Sequence, residues 1–173
     1  MNKADVVTIK SGLSAAEAAA RISSKTKAIS GCLAYAMATT YGTESELVGE
    51  VSSAGIVVAR ARPLTHNSSK PVFTGTFIES GEGTLLQGVF SYNCFGKYVF
   101  WISTVILTTA EVFIIVSLFA PESKPLFSLK NVFAVTILPG LQLAAYLLSR
   151  IVTDPFFKSD KKWIEEELKR IVS

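Results

Sequence analysis

The sequence predicts an α+β membrane protein: an N-terminal helix, a meander of four or five antiparallel strands, a transmembrane helical hairpin and a C-terminal amphipathic helix. Three observations carry that prediction. The 173-residue chain is 49% hydrophobic and only 18% charged, where an average domain holds about 25% charged residues. Its second half contains two long runs with almost no charge, and two glycine-turned strand pairs precede them. The mean hydropathy is +0.40, which excludes an intrinsically disordered chain, since disorder pairs low hydrophobicity with high net charge. The reading divides the chain into a cytosolic α+β domain at 1–97, the hairpin at 98–152 and a cytosolic amphipathic helix at 153–173.

The first residues, Met1 to Asp5, have no apolar run behind a basic start, so no secretory signal is expected there. Ser14 and Glu17 form a capping box, in which the serine oxygen takes a backbone N–H and the glutamate reaches back. The alanine-rich run that follows predicts a helix to about Lys27. From Ile29 to Tyr41, larger side chains fall on odd positions and smaller ones on even positions. That alternation suggests a strand, while the alanine content leaves a helix open.

Leu47–Val51 and Ile56–Arg60 flank a Ser/Ala/Gly turn, and Val72–Ile78 and Thr84–Phe90 flank Ser80-Gly81-Glu82-Gly83. Each pair reads as a β-hairpin of β-branched and aromatic residues around a glycine turn. Arg62 to Pro71, with a proline near each end, reads as the loop between them. A sheet of that size needs one face covered.

Tyr98–Ala120 carries one charged residue, Glu111, and as a helix is about 34 Å long, against a hydrocarbon core of about 30 Å. Asn131–Ser149 is uncharged and continues through Ile151 and Val152. The two runs predict spans at about 98–120 and 131–152, joined by the polar turn Pro121–Lys130. Lys97, Arg150, Lys158, Lys161 and Lys162 outnumber Lys124 and Lys130 in the turn, which places both termini in the cytoplasm of a multi-pass cell-membrane protein. Tyr98, Trp101 and Tyr146 fit an interfacial aromatic belt. In the tail, Trp163, Ile164, Leu168, Ile171 and Val172 form one apolar side, and Glu165–Lys169 and Glu166–Arg170 are favourably ordered pairs. Its acidic triplet favours docking on the sheet over lying on an anionic leaflet.

Glu111 is the candidate functional residue, because a carboxylate at mid-span costs on the order of 3 kcal/mol on insertion scales. Gln142 falls at a similar depth in the second run and both donates and accepts, while Pro139 and Gly140 kink that helix and free a carbonyl. Glu111 is then either a protonated group bonded to Gln142 or that carbonyl, or part of a proton or cation site in an assembled bundle.

A net charge of +3, with scattered basic residues, gives no nucleic-acid surface. Cys32 and Cys94 are not spaced as a metal pair, and they read as a reduced cytosolic pair. His66 reads as a surface-loop histidine. Asn67-Ser68-Ser69 matches a glycosylation acceptor, relevant only in a lumenal domain, and Gly81 and Gly83 read as hairpin glycines. No catalytic, metal or cofactor motif is present, so no enzyme, metal or cofactor is expected.

Arg62 to Phe90 resembles a pattern of uncharacterised bacterial two-span integral-membrane proteins: N-S-x-x-P-x-F-x-G-x-[IF], a glycine turn, T-x-[LI]-x-G-x-F, then two hydrophobic helices. The matching residues are Asn67, Ser68, Pro71, Phe73, Gly75, Phe77, Gly83, Thr84, Leu86, Gly88 and Phe90. The resemblance implies an inner-membrane protein with a capped first helix and an amphipathic last one. It carries over no activity, and Ile29–Tyr41 reads as an insertion to its spacing.

The expected function is a membrane-anchored interaction or scaffold protein whose sheet is the recognition surface. The alternatives are a small oligomeric channel or proton- or cation-linked transport component using Glu111, and a sensor of a ligand or lipid headgroup. The expected partners are the lipid bilayer and either a second copy or another membrane protein, with no nucleic acid.

Overall fold

The computed structural model describes residues 6–64, 70–81, 83–118 and 129–173. The chain forms two compact units, Met1–Lys97 with Pro155–Ser173, and Tyr98–Asp154. His66, Asn67-Ser68-Ser69 and most of the predicted turn, 121–128, lie outside the described residues.

The first unit is built on a sheet of β1 (Val6–Ser11), β2 (Thr26–Ala28), β3 (Thr39–Thr40), β4 (Glu46–Ser52), β5 (Gly55–Pro63), β6 (Pro71–Ser80) and β7 (Gly83–Tyr92). The strands run in the order β1-β7-β6-β5-β4-β2, and β3 pairs β5 off that path. Strands β4 to β7 are consecutive antiparallel neighbours. β1 joins β7 antiparallel, whereas β2 on β4 and β3 on β5 are parallel. The expected antiparallel meander of four or five strands is therefore replaced by a mixed sheet of seven. β1 escaped the sequence reading because it is an edge strand with only Ile9 fully buried. The parallel strands are two or three residues long, too short for periodicity to register.

Helix α1 (Ala15–Lys25) follows β1 and has the predicted capping box. Ser14 Oγ accepts from Glu17 N–H at 3.3 Å, and Ser14 N–H donates to Glu17 Oε2 at 3.1 Å. Ser14 Oγ also donates to Glu17 Oε2, at 2.8 Å, and the two bonds to that oxygen favour the ionised carboxylate, so the Ser14 backbone and side chain hold Glu17 below its ordinary pKa. The strand reading of 29–41 is corrected: Cys32–Met37 is a short helix, α2, and only Thr39 and Thr40 are strand. Gly31, at φ 89°, makes the entry turn that a side chain would resist. Tyr35 then reaches the sheet and donates to the Val57 carbonyl at 2.9 Å.

Strand alternation sorts two apolar clusters onto the two faces of the sheet. Ile9, Leu47, Ile56, Val58, Phe73 and Leu86 meet Ala18 and Ile22 of α1, together with Ile164, Leu168, Ile171 and Val172 of the C-terminal helix. Val48, Ala59, Ala61 and Val72 meet Tyr35. The last helix is fastened at its end, where Ser11 Oγ donates to the Val172 carbonyl at 2.7 Å and satisfies one of its otherwise open acceptors.

The paired glycines of the hairpin motif have a packing reason. Gly75 and Gly88 face each other across β6 and β7, and the Phe73 ring lies over them. A Cβ on Gly75 would meet Phe73 Cε1 at 2.8 Å, and one on Gly88 would meet the Thr74 carbonyl oxygen at 2.4 Å and Phe73 Cζ at 2.6 Å. Phe73 is fully buried and tilts against Phe90 at a centroid distance of 5.0 Å.

The remaining helices are α3 (Cys94–Leu118) and α4 (Leu129–Val172). Among the described residues, no helix is long and apolar enough to cross a membrane. That finding overturns the transmembrane hairpin, and with it the α+β membrane class, the inner-membrane assignment and the multi-pass topology with both termini cytoplasmic. In α3 the apolar run is broken at mid-length by Thr108, Thr109 and Glu111, and residues 119–120 of the predicted span lie outside the described residues. The second run is not a bounded apolar element: α4 continues past 152 through Asp154, Pro155 and Lys158 to Val172.

Candidate functional site

The residues singled out from the sequence fall on α3 and α4. Glu111 lies in α3 and is partly covered. Thr104, one heptad before it, is the other partly covered position between 101 and 113, so the two mark one face of the helix. Pro139, Gly140 and Gln142 lie within α4. Gly140 is exposed, with open space around a would-be Cβ. The side chains of Pro139 and Gln142 lie outside the described residues, and so does the expected Glu111–Gln142 pairing.

A different cluster, not singled out from the sequence, sits in the first unit. Strand β5 points Ile56 and Val58 into the larger core. Two residues further on, the same parity brings Arg60 and then Arg62 to that face. On α4, Asp160 precedes Ile164 by one turn and shares its buried side. The cations and the carboxylate meet where the apolar packing ends. Arg60 Nη1 lies 3.3 Å from Asp160 Oδ1, Arg62 Nε donates to the same oxygen at 2.8 Å, and Arg62 Nη2 also lies 2.8 Å from it. Asp160 is 1% exposed. The guanidinium carbons lie over aromatic rings, Arg60 over Trp163 at 4.7 Å and Arg62 over Phe156 at 5.2 Å.

Lys70, just before β6, adds a third cation. It is 1% exposed and its Nζ donates to the Ala38 carbonyl at 2.7 Å. Burial pushes its pKa down to about 8, Asp160 opposes that shift and Arg62 reinforces it. Burial, and then the neighbouring Arg62, likewise hold Arg60 below its ordinary value against the pull of Asp160.

Beside this cluster the chain is cross-linked. Cys32 of α2 and Cys94 of α3 form a disulfide with a Cα–Cα distance of 5.7 Å, which corrects the reduced pair expected from the sequence. The buried Asn93 holds the junction. Its Nδ2 donates to the Cys32 carbonyl at 3.1 Å, its Oδ1 accepts from Phe95 N–H at 3.3 Å as the N-cap of α3, and its own N–H donates to the Lys70 carbonyl at 3.2 Å.

Two open grooves lie elsewhere on the first unit. One of about 410 Å³ is bordered by Thr26, Ile29 and Glu50, and one of about 360 Å³ by Lys10, Ser11 and Thr84. Among the described residues, no group of three or more His, Cys, Asp or Glu is placed to hold a metal ion. The sequence did contain a signal for the charge cluster. Arg60 and Arg62 continue the inward parity of β5, and Asp160 continues the apolar stripe of the last helix. No protein-family model, curated protein or solved structure matches the chain, so its function is argued from its own residues.

Proposed function

We propose that this is an interaction or scaffold protein that self-associates through α3. The observation that carries this reading is a stripe along that helix. Ile102, Val105, Ile106, Val112 and Val116 recur at the three- and four-residue spacing of one helical face, and all are exposed, Ile106 at 62%. Thr109, the polar member of the stripe, donates its hydroxyl to the Val105 carbonyl at 2.8 Å, so it places no unmet donor there. Thr104 and Glu111 lie on the opposite side.

An exposed apolar surface of this extent marks an interaction site. The occupant we infer is the same stripe of a second copy. A regular apolar repeat is self-complementary, and a two-fold pair of identical helices fills each other's gaps. The sheet expected to be the recognition surface has α1 and the last helix on one face and α2 on the other, which shifts recognition to α3.

The test is the mass of the full chain by light scattering. The reading expects about twice the 18.7 kDa of one chain, and a single-chain mass for the Val105→Glu/Val112→Glu double variant. A single-chain mass for the native protein at tens of micromolar would overturn it.

A further inference from the structure

The two grooves have no convergent set of charged side chains, and Glu111 has no described polar partner to define a site. The charge cluster of the first unit carries more. Two guanidinium groups present ten N–H donors between them, yet among the described residues their hydrogen bonds converge on one oxygen, Asp160 Oδ1. Arg60 Nε is buried with no hydrogen-bond acceptor among the described residues, and Arg62 Nη2 pairs with Asp160 Oδ1 at 2.8 Å without hydrogen-bond geometry. Among the described residues, three cations, Arg60, Arg62 and Lys70, stand against one carboxylate, Asp160, that acts on both Arg60 and Lys70.

Such an excess of buried charge and unmet donors is costly unless something compensates it. The cluster is also approachable. The Arg60 and Arg62 side chains are 17% and 22% exposed, while Asp160 and Lys70 are buried. Trp163 and Phe156 lie against the guanidinium planes and fix their orientation, which leaves the N–H edges to bind.

We propose that Arg60 and Arg62, backed by the charge of Lys70, form a binding site for a phosphate-class oxyanion. A tetrahedral dianion matches both the surplus charge and the donor geometry, because adjacent oxygens accept from two guanidinium edges at once. Asp160 is the positioning residue: it holds the two forks side by side and reduces their mutual repulsion. The same chemistry is offered by free phosphate and by a phosphate monoester such as the headgroup of phosphatidic acid.

The experiment is isothermal titration of the full chain, at fixed ionic strength, with inorganic phosphate, with glycerol 3-phosphate and with chloride. The arginine Nε–H resonances are followed in parallel. Saturable binding of phosphate or the monoester is expected, with chloride giving none, and two arginine signals shift with the titration. Tighter binding of the monoester identifies an esterified ligand, and tighter binding of phosphate identifies the free ion. The Arg60→Lys/Arg62→Lys variant keeps the charges and the ion pairs with Asp160, so it retains the fold, and its binding falls at least tenfold. Phosphate heats no larger than those of chloride, or undiminished binding by the double-lysine variant, would overturn the proposal.

Discussion

Arg62 and Asp160 stand 98 residues apart in sequence and meet with Nε 2.8 Å from Oδ1. Through that contact the strand pair and the last helix register on each other. A carboxylate placed at the end of an apolar helical stripe can be buried only because two inward-facing arginines wait on the sheet.

Replacing Asp160 with Asn leaves those cations without their counter-charge. The expected loss is about 3 kcal/mol, the lower end for a broken buried ion pair, read as a shifted denaturation midpoint at unchanged slope. A loss within the range of an ordinary surface substitution would show that the cluster does not hold the helix.

Lys70 gives the fold a pH signature. Its folded pKa of about 8 lies below the ordinary lysine value of 10.5. Between those values the unfolded chain binds the extra proton, so stability rises with pH. Over the full interval the rise is on the order of 3 kcal/mol. Tyr35, whose pKa burial pushes up to about 12, acts in the opposite sense above its ordinary pKa of about 10. The comparison is therefore made between pH 8 and 10, where the native protein gains stability and Lys70→Met does not. Parallel curves for the two proteins would contradict the assignment.

The glycine pair is a steric device, and two substitutions separate that from a general effect of alanine in the hairpin. Gly75→Ala drives a methyl into the Phe73 ring and is expected to cost about 2 kcal/mol. Gly81→Ala meets open space and is expected to stay within about 0.5 kcal/mol. Equal effects at both positions, measured by thermal melting, would count against the ring-over-glycine packing.

Cys32 and Cys94 close a loop with a sequence separation of 62. The intact protein is expected to weigh two hydrogens less than its reduced form. Reduction is expected to lower stability by about 4 kcal/mol on a chain-entropy basis. A native mass equal to that of the reduced chain would rule the bridge out.

How far the sequence announced this structure depends on how local each feature is. The capping box at Ser14 and Glu17 and the glycine turns of β4–β5 and β6–β7 are short-range signals, and the chain uses them as written. What could not be read locally is pairing at a distance. β1 lies beside β7, and β2 reaches β4 in parallel, so a sheet that looked like a simple meander is mixed. Apolar content misled in the second half, where hydropathy alone marked two spans and gave no sign that α4 runs on through Asp154 and Pro155. The candidate site was missed for a related reason. Glu111 stands out in the sequence as an isolated charge in a greasy run, whereas Arg60, Arg62 and Asp160 have the spacing of ordinary surface charges and are turned inward only by strand and helix parity.

The claim that α3 is an interaction surface is tested most directly by placing a photo-crosslinking phenylalanine at Val105, on the stripe, and separately at Thr104, on the partly covered face. Irradiation of the full chain is expected to give a covalent product of twice 18.7 kDa from position 105 and little from 104. Monomer alone from position 105, or equal dimer from both positions, would contradict association through that face.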